Sequence, residues 1–346
     1  MSPPGSALRA CPRPLSETYD VALVDLDGVV YLGAEPVAGA TPALATARER
    51  GMRIGFVTNN ASRSPATVLA HLRELGVRAE ETEVVTSAQT AAGVLERALP
   101  AGSAVLVVGT DALAAAIRDR GLVPVTAESA ESAVAVVQGH SPDTGWRELA
   151  AAVLTVRRGA CWVATNADAT LPTPQGPMPG NGAFVEVVRR TTGASPLVTG
   201  KPEPAMHREC LERMGAARPL VVGDRLDTDI EGANRVGCDS LLVLTGSTDA
   251  ATLLSARPGQ RPTYLALDLG GLNTAHPVPR PAGAQEWRGG GWTVRVSTAY
   301  LLLGGSGAAV DALRTLAAAA WARDRCEVRA ADSGAEAKLV ELGLAS

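Results

Sequence analysis

The chain has 346 residues, 46% apolar, 3% aromatic and 20% charged, too long for one compact core and aliphatic enough to offset chain entropy, so a disordered or fibrous chain is excluded. Its net charge of −4, with acids and bases interspersed, leaves no cationic face to displace counterions from a polyanion, so no nucleic acid partner is expected. The five cysteines (Cys11, Cys161, Cys210, Cys238, Cys326) show no ligand spacing, and no run approaches the roughly 18 apolar residues of a membrane span, so a reducing, cytoplasmic setting without membrane contact is expected.

Residues 1–16, Pro-rich and without an apolar centre, read as a flexible tail. From Tyr19 onward, short Val/Leu-rich runs alternate with amphipathic segments, the pattern of an α/β fold with parallel strands and crossover helices. The pattern predicts a strand over 21–25, a helix over 42–50 behind a Thr41 cap and closed by Gly51, and a strand over 53–58. A helix follows over 64–75, with Ser64 as cap, Pro65 in its first turn and Gly76 as stop. A second α/β set then begins, with strands over 104–108, 133–137 and 161–164 and helices over 111–120 and 145–158; the Pro/Gly-rich stretch 171–182 reads as its irregular loop. The first set resumes with strands over 196–198, 220–223 and 241–245 and helices over 205–214 and 228–236. Residues 273–291, rich in Pro, Gly and Trp, read as a linker to a small unit with strands over 292–296 and 299–303, a turn at Gly304-Gly305-Ser306-Gly307 and a helix over 308–322. The organisation expected is a core over 17–83 and 196–272, an inserted α/β cap over 84–195, and a small α+β C-terminal domain over 292–346.

The chemistry-bearing residues fall at strand ends. Asp25-Leu26-Asp27-Gly28-Val29 leaves the first apolar strand, where ligand crevices of parallel sheets form, and two acids emerging from a buried strand need a compensating cation. Thr58-Asn59-Asn60 ends the second core strand, Thr199-Gly200-Lys201-Pro202 the third, and Gly223-Asp224-Arg225-Leu226-Asp227-Thr228-Asp229 the fourth. Lys201 stands out because Lys338 is the only other lysine. A nucleotide P-loop around Gly200-Lys201 is rejected, since Ser195 and Pro202 occupy positions that need Gly and Ser or Thr. The glycine-rich turn 304–307 has the backbone N–H groups to bind a pyrophosphate, but reads first as a plain turn. His71, His140, His207 and His276 match no triad or metal spacing and read as surface or packing residues, Asp227 as a loop or capping acid, and Cys161 and Cys238 as core fillers.

Taken together and in this order, these segments resemble the four motifs of the haloacid dehalogenase superfamily of phosphohydrolases, over about residues 17–270. The cap inserted between the second and third motifs resembles that of the 4-nitrophenylphosphatase and phosphoglycolate phosphatase branch. Thr165-Asn166-Ala167-Asp168 and Pro179-Gly180-Asn181-Gly182 look like bacterial glycerol-3-phosphate phosphatases with an additional C-terminal domain. The resemblance implies a Rossmann-like parallel-sheet core and a phosphomonoesterase working through an aspartyl-phosphate. It implies Asp25 as nucleophile and Asp27 as general acid and then general base. An anionic nucleophile and a phosphate dianion repel by about 4 kcal/mol per charge pair at about 4 Å, so a cation is needed. The hard oxygens available fit Mg²⁺, held by the Asp25 and Asp224 carboxylates and the Asp27 main-chain carbonyl, with Asp229 orienting metal-bound water or Lys201. Lys201, the Thr58 hydroxyl and the N–H groups around Asn59 and Asn60 are then the phosphate ligands, and Asn166, Asp168 and the 180–182 loop the cap residues facing the leaving group.

The expected substrate is a small phosphorylated metabolite, glycerol 3-phosphate first, with 2-phosphoglycolate or an aryl or nucleotide monophosphate as alternatives. A non-catalytic phosphate-binding regulatory protein is the alternative of another class, disfavoured by the presence of Asp27. For the C-terminal unit, a stabilising or homodimer-forming appendage is preferred over a degenerate acetyltransferase-like module.

Overall fold

The computed structural model describes residues 7–173, 175–323 and 327–345; Cys326 and the first six residues of the expected tail lie outside the described residues. The chain divides into two compact units, Met1–Gly55 with Met214–Ser346, and Phe56–Arg213, so the second interrupts the first along the chain. Besides the 84–195 expected for the cap, this second unit takes in the helix Pro65–Glu74 and all but the last residue of the helix Pro204–Met214.

In the first unit, four parallel strands lie in the order Tyr264–Ala266, Asp239–Val243, Pro219–Gly223, Val21–Val24. Val21, Ala22, Leu23 and Val24 are all buried, as in a parallel sheet covered on both faces. Val24 pairs with Val222 and Gly223 with Leu242, which brings Asp25, Asp224 and the segment after Val243 out at one end of the sheet. The helix expected behind Thr41 begins earlier, at Ala40–Glu49, behind Gly39 at φ +77°. Pro42 is tolerated there because first-turn N–H groups lack helical partners in any case.

The C-terminal strands form a five-stranded sheet in the order Arg280–Pro281, Glu286–Gly289, Trp292–Val296, Leu301–Gly305, Val328–Ala330, antiparallel except for the last pair. The stretch 273–291 is therefore not a linker. Gly289 pairs with Trp292 across Gly290-Gly291, at φ +56° and +84°, a two-residue hairpin turn in which both central residues need left-handed backbone. Nor do residues 8–16 form a tail: Leu8, Cys11 and Leu15 are buried, and the Arg9 N–H donates to Thr263 O at 3.0 Å. Trp287, Trp292, Leu313, Leu316 and Trp321 share one apolar cluster with Leu226, Ile230, Leu242, Leu253 and Leu265 of the α/β part, so this unit has a continuous core.

In the second unit, a five-stranded parallel sheet runs Leu197–Val198, Cys161–Ala164, Ala135–Gln138, Ala104–Val108, Val123–Val125. The strand expected in the core over 196–198 is thus an edge of this sheet, pairing Leu197 with Val163. Residues 171–182 are not irregular: Thr170–Thr173 and Gly176–Pro179 form a hairpin, and Asn181–Thr192 is a helix. Cys161, expected as a core filler, is exposed at its strand's start, whereas Cys238 is buried.

Candidate active site

Three carboxylates meet at the carboxyl end of the first unit's sheet. Asp25, Asp224 and Asp229 are buried, and ligand oxygens from all three lie within 4.8 Å of one another, the only such acidic, His or Cys group among the described residues. Each is fixed by local structure. The Asp25 N–H donates to Val222 O at 2.9 Å, continuing the ladder past the strand's end. Asp224 follows Gly223 directly, and its Oδ2 accepts from the Ser247 N–H at 2.6 Å. Asp229 is turned inward by a single π-helical turn, Leu226–Ile230, a feature that recurs at functional sites, and accepts from the Arg225 N–H at 3.1 Å.

Glycines make the room. A Cβ on Gly28, at φ +84°, would sit 2.6 Å from Asp224 Oδ2; one on Gly246 would collide with the same carboxylate, and one on Gly223 with Asp229. Three buried carboxylates this close repel by several kcal/mol as anions, at about 4 kcal/mol per pair near 4 Å, and a hard divalent cation is the partner that such an all-oxygen set fits. Asp229, expected to orient metal-bound water or Lys201, lies close enough to Asp25 and Asp224 for its carboxylate to reach the same ion. Asp27 is exposed on the 26–31 turn, its side chain outside that cluster, while the neighbouring Gly28 O accepts from Thr245 Oγ1 at 2.6 Å. Asp227 pairs with Arg225 at 2.9 Å, which holds its carboxyl below the usual range despite partial burial, as fits a loop acid. Thr245 is expected from the sequence only as the last residue of a strand, and Gly246 and Ser247 after it carry no charge to flag them.

The second unit gathers the remaining expected residues. Thr58, Asn166 and Lys201 are buried. Thr58 Oγ1 accepts from the Asn60 N–H at 3.1 Å, and Asn60 Oδ1 accepts from the Ser62 N–H at 2.8 Å and Oγ at 2.7 Å, so Asn60's side chain closes its own turn. Asn59 Oδ1 accepts from the Lys201 N–H at 2.8 Å, while its Nδ2 donates to Lys201 O at 3.0 Å and to Asp168 Oδ2 at 3.0 Å. Lys201 Nζ donates to Val57 O at 3.2 Å. Asn166 Nδ2 donates to Asn59 O at 2.8 Å, and its Oδ1 accepts from the Asp168 N–H at 3.2 Å. Gly180 and Gly182 lie where a Cβ would strike the main chain of Asp168 and Ala167, so these glycines serve close packing of the two loops. Ser87, not singled out from sequence, donates through Oγ to Asn59 O at 2.7 Å, and Asn181, of the 180–182 loop expected to face the leaving group, donates through Nδ2 to Asn166 O at 2.8 Å.

Comparison with known proteins gives the family. Residues 22–123 match the family model for haloacid dehalogenase-like hydrolases, and residues 198–272 a second, haloacid dehalogenase hydrolase-like model. The chain is 44% identical over 335 residues to the D-glycerol 3-phosphate phosphatase of Mycobacterium tuberculosis, covering 96% of this chain and 92% of the relative. This chain belongs to the haloacid dehalogenase-like hydrolase family. A crystal structure of the glycerol phosphate phosphatase from Mycobacterium tuberculosis in complex with magnesium superposes with TM-score 0.87 at 43% identity, covering 96% of this chain and 99% of that one. The 4-nitrophenylphosphatase from Thermotoga maritima superposes with TM-score 0.70 at 29% identity, over 75% and 98% of the two chains. The acid sugar phosphatase of Staphylococcus aureus (strain USA300) is 38% identical over 230 residues, covering 66% of this chain and 87% of that one. The hydrolase is accordingly a phosphatase with a parallel-sheet α/β core.

Residues 289–344 match a GCN5-related N-acetyltransferase-like domain, so the acetyltransferase-like resemblance, the second of the two expectations for this unit, holds for its fold. In the exposed turn considered for pyrophosphate, the Gly305 N–H donates to Asp332 Oδ2 at 3.3 Å and the Ser306 N–H to Gly291 O at 3.2 Å, so two of its donors are already engaged by the chain itself. No helix among the described residues is long and apolar enough to cross a membrane.

Proposed function

We propose that this hydrolase is a Mg²⁺-dependent phosphomonoesterase that converts glycerol 3-phosphate to glycerol and inorganic phosphate. The observation that carries the reading is the buried Asp25–Asp224–Asp229 cluster at the sheet's carboxyl end, in a chain so similar to a D-glycerol 3-phosphate phosphatase. Asp25, Asp224 and the Asp27 main-chain carbonyl are the proposed Mg²⁺ ligands, with Asp229 joining or orienting them. Bound Mg²⁺ supplies the positive charge that lets a carboxylate approach a phosphate dianion. The Asp25 carboxylate attacks phosphorus as the P–O ester bond breaks, and Asp27 gives its proton to the departing alcohol oxygen. Asp27 then takes a proton from water, whose oxygen attacks the aspartyl-phosphate; the bond to Asp25 breaks and phosphate leaves. Lys201, Thr58 and the main-chain N–H of Asn59 balance charge on the phosphoryl oxygens. A reducing, cytoplasmic setting is part of this reading, on the scattered spacing of the five cysteines in the sequence.

The test is phosphate release, with Mg²⁺ present, from glycerol 3-phosphate, 2-phosphoglycolate, sugar phosphates, 4-nitrophenyl phosphate and nucleoside monophosphates, compared by kcat/KM. Glycerol 3-phosphate is expected to lead, and a nucleotide preference would remove it as substrate. A sugar phosphate is the second reading, favoured by the similarity to acid sugar phosphatases. Asp25→Asn is expected to lower kcat by at least about 10³-fold, the loss of a nucleophile; an unchanged rate would end its assignment.

A further inference from the structure

We propose that Asn59 is a positioning residue, whose side-chain amide sets the main chain of Lys201 and whose own orientation is set by Asp168. This rests on the assignment of Lys201 as the cation facing the transferred phosphoryl group. A lysine places a point charge at the end of four rotatable bonds, so its ammonium is no better located than its backbone. Lys201 has little regular structure to locate it, since it follows the two-residue strand Leu197–Val198. Asn59 supplies the restraint. Its flat amide brackets one residue from both sides, accepting from the Lys201 N–H at 2.8 Å and donating to the Lys201 carbonyl at 3.0 Å.

An amide can present oxygen and nitrogen either way round, and only one way matches that bracket. Asp168 selects it: a carboxylate at 3.0 Å from Nδ2 accepts from N–H and repels a carbonyl. Asn59 is in turn anchored through its carbonyl by Ser87 Oγ at 2.7 Å and Asn166 Nδ2 at 2.8 Å. Gly200 gives a second, independent sign that this approach is built. A Cβ there would lie 2.7 Å from Asn59 Oδ1 and would strike Thr165 O, so only glycine lets the Lys201 turn close onto Asn59. Asp168, expected from sequence to face the leaving group, thereby acquires a role through Asn59.

The test uses full-length enzyme with Mg²⁺ and its best phosphate ester, each variant checked for native thermal unfolding. Asn59→Ala is expected to lower kcat about 10–100-fold while KM moves less than about threefold, the signature of a misplaced charge rather than a lost binding contact. Asn59→Asp sets two carboxylates against each other and is expected to be slower still. Adding Asp168→Asn to Asn59→Asp restores a donor and acceptor between the two positions, and is expected to recover kcat at least about fivefold over Asn59→Asp alone. A rate for Asn59→Ala within about twofold of wild type, or a double variant no faster than Asn59→Asp, overturns the positioning role; where Asn59→Ala does not fold, the Asp pair decides alone. Lys201→Ala separates the two readings: full activity in that variant overturns the cation assignment itself, whereas its loss beside unaffected Asn59 variants overturns only the inference drawn here.

Discussion

Gly246 carries no chemistry, yet the geometry of Asp224 depends on it. A Cβ at that position would overlap the Asp224 carboxylate, which the Ser247 N–H holds at 2.6 Å, and would lie 2.9 Å from Gly28 Cα, which is main chain. Because the position has no left-handed backbone to disturb, Gly246→Ala tests crowding alone. The expected result is a folded enzyme whose Mg²⁺ requirement for half-maximal activity rises by at least about tenfold, read from a Mg²⁺ titration of phosphate release; an unchanged requirement would show that Asp224 holds no metal. The acids and the lysine were legible in the sequence because charge at the tip of a Val/Leu strand is conspicuous whatever the fold. Gly246, Ser247 and the bracket made by Asn59 were not, since what marks them is a distance across the chain: Asn59 and Lys201 are 142 residues apart.

At the scale of elements, start signals and apolar runs were readable wherever the local chain decides the outcome. Ser64 is such a case: its side chain accepts from the Thr67 N–H at 3.1 Å, with Pro65 entering the helix behind it, as the sequence indicates. Ser64→Ala leaves that N–H without its cap and is expected to destabilise the fold by about 1 kcal/mol, measured by chemical denaturation, while Ser64→Asp holds stability near wild type; equal midpoints for all three would show that the cap adds nothing. The helix Ser87–Ala98 carried a comparable signal, the reciprocal Thr86–Gln89 capping box, which reading for strands passed over. Elements decided by tertiary pairing were harder. The two-residue strand Leu197–Val198 is too short to have a period, and its sheet is settled only by Val163 and Ala164 beside it. Gly290-Gly291 between tryptophan-bearing strands is a hairpin signal that composition alone turned into a linker.

On the scale of the first unit as a whole, the C-terminal sheet and the α/β core are joined by a buried polar hub as well as by apolar contact. Arg314, on the helix Ala309–Arg323, donates to Leu265 O through Nη2 at 2.7 Å and Nε at 3.2 Å, pairs with Asp311 at 2.9 Å, and reaches His276 Nδ1 at 3.1 Å. The other ring nitrogen of His276 faces Gly271 O at 2.8 Å, and its main chain pairs both ways with Cys11. That environment suits only the neutral ring, with Nε2–H donating to the carbonyl and Nδ1 accepting from the guanidinium. Burial, and secondarily the Arg314 charge, push the imidazole down to about 4 from its ordinary 6.5. The unfolded chain therefore takes up a proton between those values that the folded chain refuses, so this contribution is complete above about pH 6.5 and is lost as pH falls toward 4. Its full size is about 3 kcal/mol, from the shift at about 1.4 kcal/mol per unit. Gln at 276 offers one donor and one acceptor without titrating. Denaturation midpoints for wild type and His276→Gln measured from pH 7 to 4 are expected to diverge, with wild type losing more stability on the acid side; parallel curves would show that proton uptake at this ring does not govern how the C-terminal sheet stays joined to the core.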